Sequence, residues 1–535
     1  MSAKQRTIRA AAAMFLLSFA AVAGPANEAR LAEAVQHGDR ETVRSLLKQH
    51  SDVNLRQADG STPLAWAVHR NDLETAELLI AAGAKVSVAN DYGVTPLEIA
   101  CINGSGAMVE KLLKAGADPN AAFASGETPL MSCGGTGSAQ AVLALLSHGA
   151  DVKAKDPRLG QTALMWAAAE KHAAAATVLL EHGADVHARS KGGFTPLLFA
   201  AQAGDVDTAR VLLEVGADVN ETVPNREKGQ VLAWGRADGM SPLVMASANG
   251  REAAAIFLLE HGADPNATDA NGVAPLHYAL RKGLSVVGAI QYVTALGPNP
   301  YASYYVRPAM TELLKALLAH RANPNIQIPK QLPEMPFTRG SRLATVGITP
   351  FFLAAAAGDA AAMRILKAAG ADPQLPTEES VTPLMVASGM GHYQDFAEGE
   401  EAACLEAAKL ALELGADVNA ASKKGTTALH AAAHIGADAI LRFLVSKGAD
   451  LNAKDFLGQT PWNLAEGLLS DGATRAEKID APHTETAKLL VSLGASEVRN
   501  LPPPPESAKE NFYFRREKGV ADPATGKPPD SASQP

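Results

Sequence analysis

The sequence predicts an all-α solenoid of about twelve helix-turn-helix repeats with finger loops between them. Three observations lead there. A Thr-Pro-Leu triplet or close variant returns at Thr62, Thr95, Thr128, Thr162, Thr195, Ser241, Ala274, Thr349, Thr382, Thr427 and Thr460, and six of the ten spacings are 33 residues. A second signature, Gly-Ala-Asp-x-Asn, follows at Gly116, Gly216, Gly262, Gly415 and Gly448, with degraded copies at Gly83, Gly149, Gly183, Arg321, Gly370 and Gly494. Finally, the chain is 47% hydrophobic yet only 5% aromatic, and alanine fills the difference at roughly a fifth of all residues. Its 535 residues exceed what one core can hold, so thin helices stacked on their neighbours are the economical solution.

The N-terminus reads as a secretory signal. Lys4, Arg6 and Arg9 precede an apolar run from Ala10 to Ala23, and Ala21-Val22-Ala23 supplies a small-x-small cleavage pattern. Fourteen apolar residues fall short of the roughly 20 that span a bilayer, which argues against an uncleaved anchor. Cleavage after Ala23 takes the formal net charge from −9 to −12, because three basic residues leave. Residues 26–54 form a first, capping repeat that keeps Gly38 and Leu46-Leu47 but lacks the triplet.

Each part of the repeat has a physical reason. Thr or Ser caps a helix by accepting an orphan backbone N–H, and Pro suits the first helical position. The next stretch, Leu-x-x-Ala-Ala, makes a short helix whose alanines admit a close neighbour. A glycine nine residues after most of the threonines, such as Gly204 or Gly436, reverses the chain into a second helix. Gly-Ala-Asp then ends that helix, glycine being free to take the left-handed terminal conformation.

The pattern resembles the ankyrin repeat, most closely at Thr427-Ala428-Leu429-His430-Ala431-Ala432-Ala433 and Ala274-Pro275-Leu276-His277. The likeness runs over about residues 26–500, within a repeat domain spanning 24–500. It implies a curved solenoid with a concave face of first helices and fingers, and a non-enzymatic, protein-binding function. A Pro-rich tail, 501–535, is expected to be disordered; its Asn511-Phe512-Tyr513-Phe514-Arg515-Arg516 cluster is either a docking segment or a cap on the last repeat.

Insertions interrupt the period near 221–236, 285–310, 326–342, 392–404 and 468–480. Two enlarged fingers flank repeats seven and eight. The first carries Arg226, Lys228, Trp234 and Arg236; the second carries Lys330, Phe337, Arg339 and Arg342. The helical insertion adds Tyr292, Tyr301, Tyr304, Tyr305 and Arg307, while Arg281 and Lys282 hold positions that the resemblance puts on the concave groove. Tyr, Trp and Arg dominate binding energy at interfaces, so Arg226, Trp234, Arg236, Arg281, Lys282, Tyr301, Tyr304, Tyr305, Arg307, Phe337, Arg339 and Arg342 are the candidate partner-binding residues. A second reading stays open, in which these aromatics pack onto the repeats beneath them. Residues 278–352 hold 8 of the 26 aromatics, which makes that stretch the place to look.

Other chemistry finds little support. His430 and His434 have zinc-pair spacing, but no Glu follows the first, and His430 is the histidine of the repeat. Gly134 and Gly135 in Cys133-Gly134-Gly135-Thr136-Gly137 belong to no phosphate loop and cost about 1 kcal/mol each in helix propensity, which makes repeat four a soft point. His148, His182, His261 and His320 recur in phase as helix C-terminal residues. Cys101, Cys133 and Cys404 are expected as buried thiols. Adjacent repeats stacked roughly 10 Å apart would leave Cys101 and Cys133 beyond the ~7 Å Cα limit for a disulfide. No cofactor, metal, catalytic residue or nucleic-acid partner is expected. The expectation is an exported, monomeric scaffold or adaptor of the cell envelope, periplasmic or secreted, without stable membrane insertion after cleavage. It engages a protein partner through the concave face and the insertions of repeats seven to nine. The alternative is an inhibitor, immunity or effector protein acting on an enzyme or host protein.

Overall fold

The computed structural model describes residues 29–123, 126–225, 237–286, 309–332, 343–392, 396, 399–467, 482–499 and 501. Among them every regular element is a helix. The chain divides into two units, one of 1–224 with 241–263, the other of 225–240 with 264–535.

In the first unit, repeat one pairs α1 (Ala29–His37) with α2 (Arg40–Lys48), and repeat two pairs α3 (Pro63–His69) with α4 (Leu73–Ala81). Repeats three and four pair α5 (Pro96–Ile102) with α6 (Gly106–Lys114), and α7 (Pro129–Thr136) with α8 (Ala139–Ser147). Repeats five to seven follow as α9 (Ala163–Ala169) with α10 (Ala173–Glu181), α11 (Pro196–Ala203) with α12 (Val206–Glu214), and α13 (Pro242–Ala248) with α14 (Glu252–Glu260).

The second unit opens with repeat eight, in which α15 (Pro275–Ala279) and α16 (Arg281–Val286) precede α17 (Thr311–Ala319). Repeats nine and ten pair α18 (Pro350–Ala356) with α19 (Ala360–Ala368), and α20 (Pro383–Ala387) with α21 (Glu400–Glu413). Repeats eleven and twelve pair α22 (Ala428–His434) with α23 (Asp438–Ser446), and α24 (Pro461–Glu466) with α25 (Thr484–Ser492).

The periodic residues do what their chemistry allows. The Thr62 hydroxyl accepts from the Ala65 N–H at 3.2 Å, and the equivalent cap recurs from Thr95 to Thr460 except at Ala274. The leucine two residues on is sealed in the core at Leu64, Leu130, Leu197, Leu243 and Leu429, each at 1% exposure or less. Each such burial is worth about 1.5–3 kcal/mol, and repetition makes the stack stable. The helix stop needs positive φ: Gly116 lies at +92° with nothing near where a Cβ would sit, so backbone conformation alone selects glycine. Arg321 makes the same turn in repeat eight at φ +68°.

The Gly-Ala-Asp-x-Asn signature joins neighbouring repeats. The Asp118 carboxylate accepts the Asn120 N–H at 2.9 Å. The Asn120 amide then donates to the Gly149 carbonyl at 2.9 Å and accepts from the Asp151 N–H at 2.8 Å in the next repeat. The same bridge recurs at Asn54 in the first unit, and at Asn266, Asn325 and Asn419 in the second. Fingers pair through backbone as well, for example Asp91 N–H to Asp59 O at 3.1 Å and Lys423 N–H to Glu379 O at 2.9 Å.

Several expectations need correction. Cys101 and Cys133 form a disulfide, with their Cα atoms 4.7 Å apart. The repeat spacing was the wrong yardstick, because a Cα sits about 2.3 Å off its helix axis and facing residues are closer than the axes by twice that. The glycines of repeat four also have a packing role. A Cβ on Gly134 would lie 3.0 Å from the Ala163 carbonyl oxygen, and one on Gly135 would lie 3.0 Å from the Trp166 ring. Their propensity cost is therefore offset by close approach of α9, and the disulfide ties the same helix to α5. In repeat ten part of the 392–404 insertion is helical, since α21 has 14 residues where most second helices have nine. The signal segment, the insertion at 468–480 and the tail beyond 501 lie outside the described residues.

Candidate protein-binding face

In the eleven repeats that carry the motif, its fifth residue lies within the first helix, beside the fingers. In the first unit this row carries large side chains at Trp66, Ile99, Trp166 and Phe199. Trp66 Nε1 donates to the Gln57 side chain of its own finger at 2.6 Å, and the Phe199 ring lies 5.3 Å from the ring of Phe194, also in its own finger, tilted by 42°. Phe194 and Phe199 are both half-buried.

Most sequence-chosen anchors lie outside the described residues: Arg226, Trp234, Arg236, Tyr301, Tyr304, Tyr305, Arg307, Phe337, Arg339 and Arg342. The two that are described are not open anchors. Arg281 is 8% exposed, and Lys282 Nζ pairs with Glu400 Oε1 at 3.1 Å. The helix is the reason. It breaks at Leu280 (φ −102°, ψ 48°), and α16 then runs hard against α18, where a Cβ on Gly283 would lie 2.1 Å from the Leu353 carbonyl oxygen. Of the eight aromatics in 278–352, the three described are core: Tyr278, whose hydroxyl donates to Asp269 at 2.8 Å, and the fully buried Phe351 and Phe352. These three belong to the first helices of repeats eight and nine, and the aromatics of the insertions lie outside the described residues.

Lys282 and Glu400 sit near His392 and Cys404, a titratable cluster the sequence did not single out. Burial pushes the Cys404 thiol up to about 12 and holds the His392 imidazole below its ordinary value. A thiol so raised is no nucleophile at neutral pH. No group of three or more His, Cys, Asp or Glu side chains is arranged to hold a metal among the described residues. The in-phase histidines cap helices: His148, His182 and His261 bond through Nδ1 to the carbonyls of Ala144, Val178 and Phe257.

Sequence reasoning missed a basic cluster on the fingers that enter repeats five and six. Lys153, Lys155, Arg158, Arg189 and Lys191 are exposed there. Lys155 Nζ donates to the Arg189 carbonyl at 3.1 Å, and Lys191 Nζ reaches back to the Pro157 carbonyl, so each finger holds a cation of the other. Arg189 bonds the Gly193 and Thr222 carbonyls at 2.9 and 3.0 Å and has one carboxylate, buried Glu221, at 3.8 Å. A signal was available. Lys153 and His187 occupy the place of the bridging Asn in Gly-Ala-Asp-x-Asn, so the inter-repeat bridge is given up where the cations gather.

Residues 31–123, 130–223, 225–300 and 400–499 match the family described as ankyrin repeats (3 copies). The chain is 28% identical to rat protein phosphatase 1 regulatory subunit 12A over 22% of its length and 12% of that protein's. It is 29% identical to the ankyrin repeat-containing protein P1E11.10 of Schizosaccharomyces pombe, over 22% of this chain and 66% of that one. The chain thus spans less than two thirds of either curated relative. The solved human ASB11 ankyrin repeat domain aligns over its whole length with 45% of this chain, at 25% identity and a TM-score of 0.38.

Proposed function

This chain belongs to the ankyrin-repeat family, whose repeats bind proteins, and on that premise we propose that it is a non-enzymatic scaffold of the cell envelope. The observation that carries the reading is the preformed surface: first helices and fingers are locked to their neighbours by backbone pairs and Asn bridges, so little order remains to be acquired on binding. A partner would lie along the first helices and fingers, and the insertions of repeats seven to nine would contribute further contacts.

Export is supported by the basic-apolar-small pattern of residues 1–23 and by the Cys101–Cys133 disulfide, a bond that persists in oxidising compartments. Affinity purification from a native envelope fraction, followed by mass spectrometry, tests the scaffold. One or more proteins should be recovered reproducibly, and recovery of none rejects it. Fractionation tests export, with a mature chain beginning near Gly24 expected outside the cytoplasm. A full-length chain in the cytoplasm would refute it.

A further inference from the structure

The described fingers differ sharply in charge. The segment 263–273 carries Asp264 and Asp269 with no cation, whereas the fingers at 150–161 and 184–194 expose five cations against two exposed carboxylates, Asp151 and Asp185. Asp156, the remaining acid there, is buried and spent on the N–H groups of Arg158, Leu159 and Gln161. No described carboxylate lies within ion-pair distance of Lys153, Lys155, Arg158 or Lys191. The partners of Lys155 and Lys191 are neutral carbonyls, which fix the ammonium groups in place without cancelling their charge. The contacting, mutually tilted rings of Phe194 and Phe199 stand in and beside the same finger, half-buried.

We propose that the fingers entering repeats five and six form a docking site for an acidic, apolar-anchored segment of a partner protein. Its carboxylates pair with Lys155, Arg158, Arg189 and Lys191, and its apolar side chain covers the Phe194–Phe199 pair. This rests on the protein-binding reading above and names the chemistry of the partner. Local charge selects the ligand class. A long polyanion such as nucleic acid would meet a molecule of net charge −9, whereas a short acidic segment meets only the cationic fingers. Held cations also lose little freedom on pairing, and Arg donates to both carboxylate oxygens in a bidentate fork.

The test uses the full chain and a fluorescein-labelled peptide of Glu and Asp residues around one Phe, with a Gln/Asn version as control. Fluorescence anisotropy should show binding of the acidic peptide that weakens with salt, and binding of the control weaker by roughly tenfold or more. Lys155→Glu with Lys191→Glu removes inter-finger bonds, so a second variant, Lys153→Glu with Arg158→Glu, changes only side chains without internal partners. It should keep the wild-type circular dichroism and Tm and bind the acidic peptide roughly tenfold less tightly or worse. Equal affinity for both peptides, or for wild type and this second variant, overturns the site. Tighter binding to a single-stranded oligonucleotide or to anionic phosphatidylglycerol vesicles overturns the assignment to a protein segment. A native partner captured equally by wild type and the second variant rejects this placement and leaves the scaffold standing. A chain that binds the acidic peptide but captures no native partner does the reverse.

Discussion

The residue three places after each capping Thr decides how one repeat is latched to the next. His430 Nδ1 accepts from the Thr427 N–H at 3.2 Å, which leaves Nε2–H to donate to the Gln459 carbonyl at 3.1 Å. Asn463 copies this with an amide, accepting from Thr460 at 2.9 Å and donating to Val498 at 2.6 Å. His277 does so as well, between Ala274 and Ile326, and burial pushes its imidazole down to about 4. Glu98 holds the position in repeat three. Burial pushes its carboxyl up to about 7, and its Oε2 is buried without a hydrogen-bond partner. The folded protein therefore holds a proton on Glu98 that the unfolded chain releases near 4.5, and stability is lost as pH rises from there through about 7. His277 acts oppositely: the unfolded chain takes up a proton near 6.5, so stability is lost as pH falls from there to about 4. Glu98→Gln supplies a permanent amide. We expect it to raise stability at about pH 8 by on the order of 1–2 kcal/mol and to flatten the Glu98 contribution, measured as urea denaturation against pH. An unchanged pH profile would refute this. Arg321→Gly should gain about 1 kcal/mol by relieving a left-handed residue, read from the same urea midpoints; a loss would show that the Arg side chain matters more than its φ. His430 could be recognised from sequence because its motif is regular, whereas the state of Glu98 depends on burial that no local pattern records.

At the scale of elements, repeat three is joined to repeat four by covalent bond as well as by packing. The Cys101–Cys133 disulfide closes a separation of 32 residues between α5 and α7, for which chain entropy gives about 3–4 kcal/mol. Replacing both cysteines by Ser should lower stability by roughly 2–4 kcal/mol, and a non-reducing peptide map of the wild type should link the two cysteines. Three free thiols in oxidised, denatured protein, where Cys404 alone is expected, would contradict the bond. Motif spacing correctly located the helices, their caps and their stops, because each obeys local chemistry. It misjudged the cysteine pair because a mean repeat spacing says nothing about two small residues that face each other. Gly283, nine residues after Ala274, is no turn glycine but lies within α16 pressed against α18. Arg281 and Lys282 were misread for the same reason: their positions follow from a helix break at Leu280 that no periodicity signals.

For the whole molecule, repetition makes stability a sum over neighbours. Leu79 and Leu212 are fully buried in repeats two and six of the first unit and share no partner repeat. Each Leu→Ala change should cost about 2–5 kcal/mol, and the double variant should lose the sum to within about 0.5 kcal/mol. In hydrogen exchange, Leu212→Ala should deprotect repeats five to seven and leave repeat two unchanged; deprotection of repeat two would show coupling beyond neighbours. The sequence by itself determined the family, the all-helical repeat and the caps, since each is written in local signals that recur in phase. Only the tertiary structure decided which side chains are free to meet a partner. Arg281 and the aromatics Tyr278, Phe351 and Phe352 turned inward, while the cations of the fingers entering repeats five and six stayed exposed, and all but Arg189 have no described carboxylate within ion-pair distance. Exposure and charge compensation are set by neighbours one repeat away, roughly 33 positions along the chain, and a residue's own sequence context does not contain them.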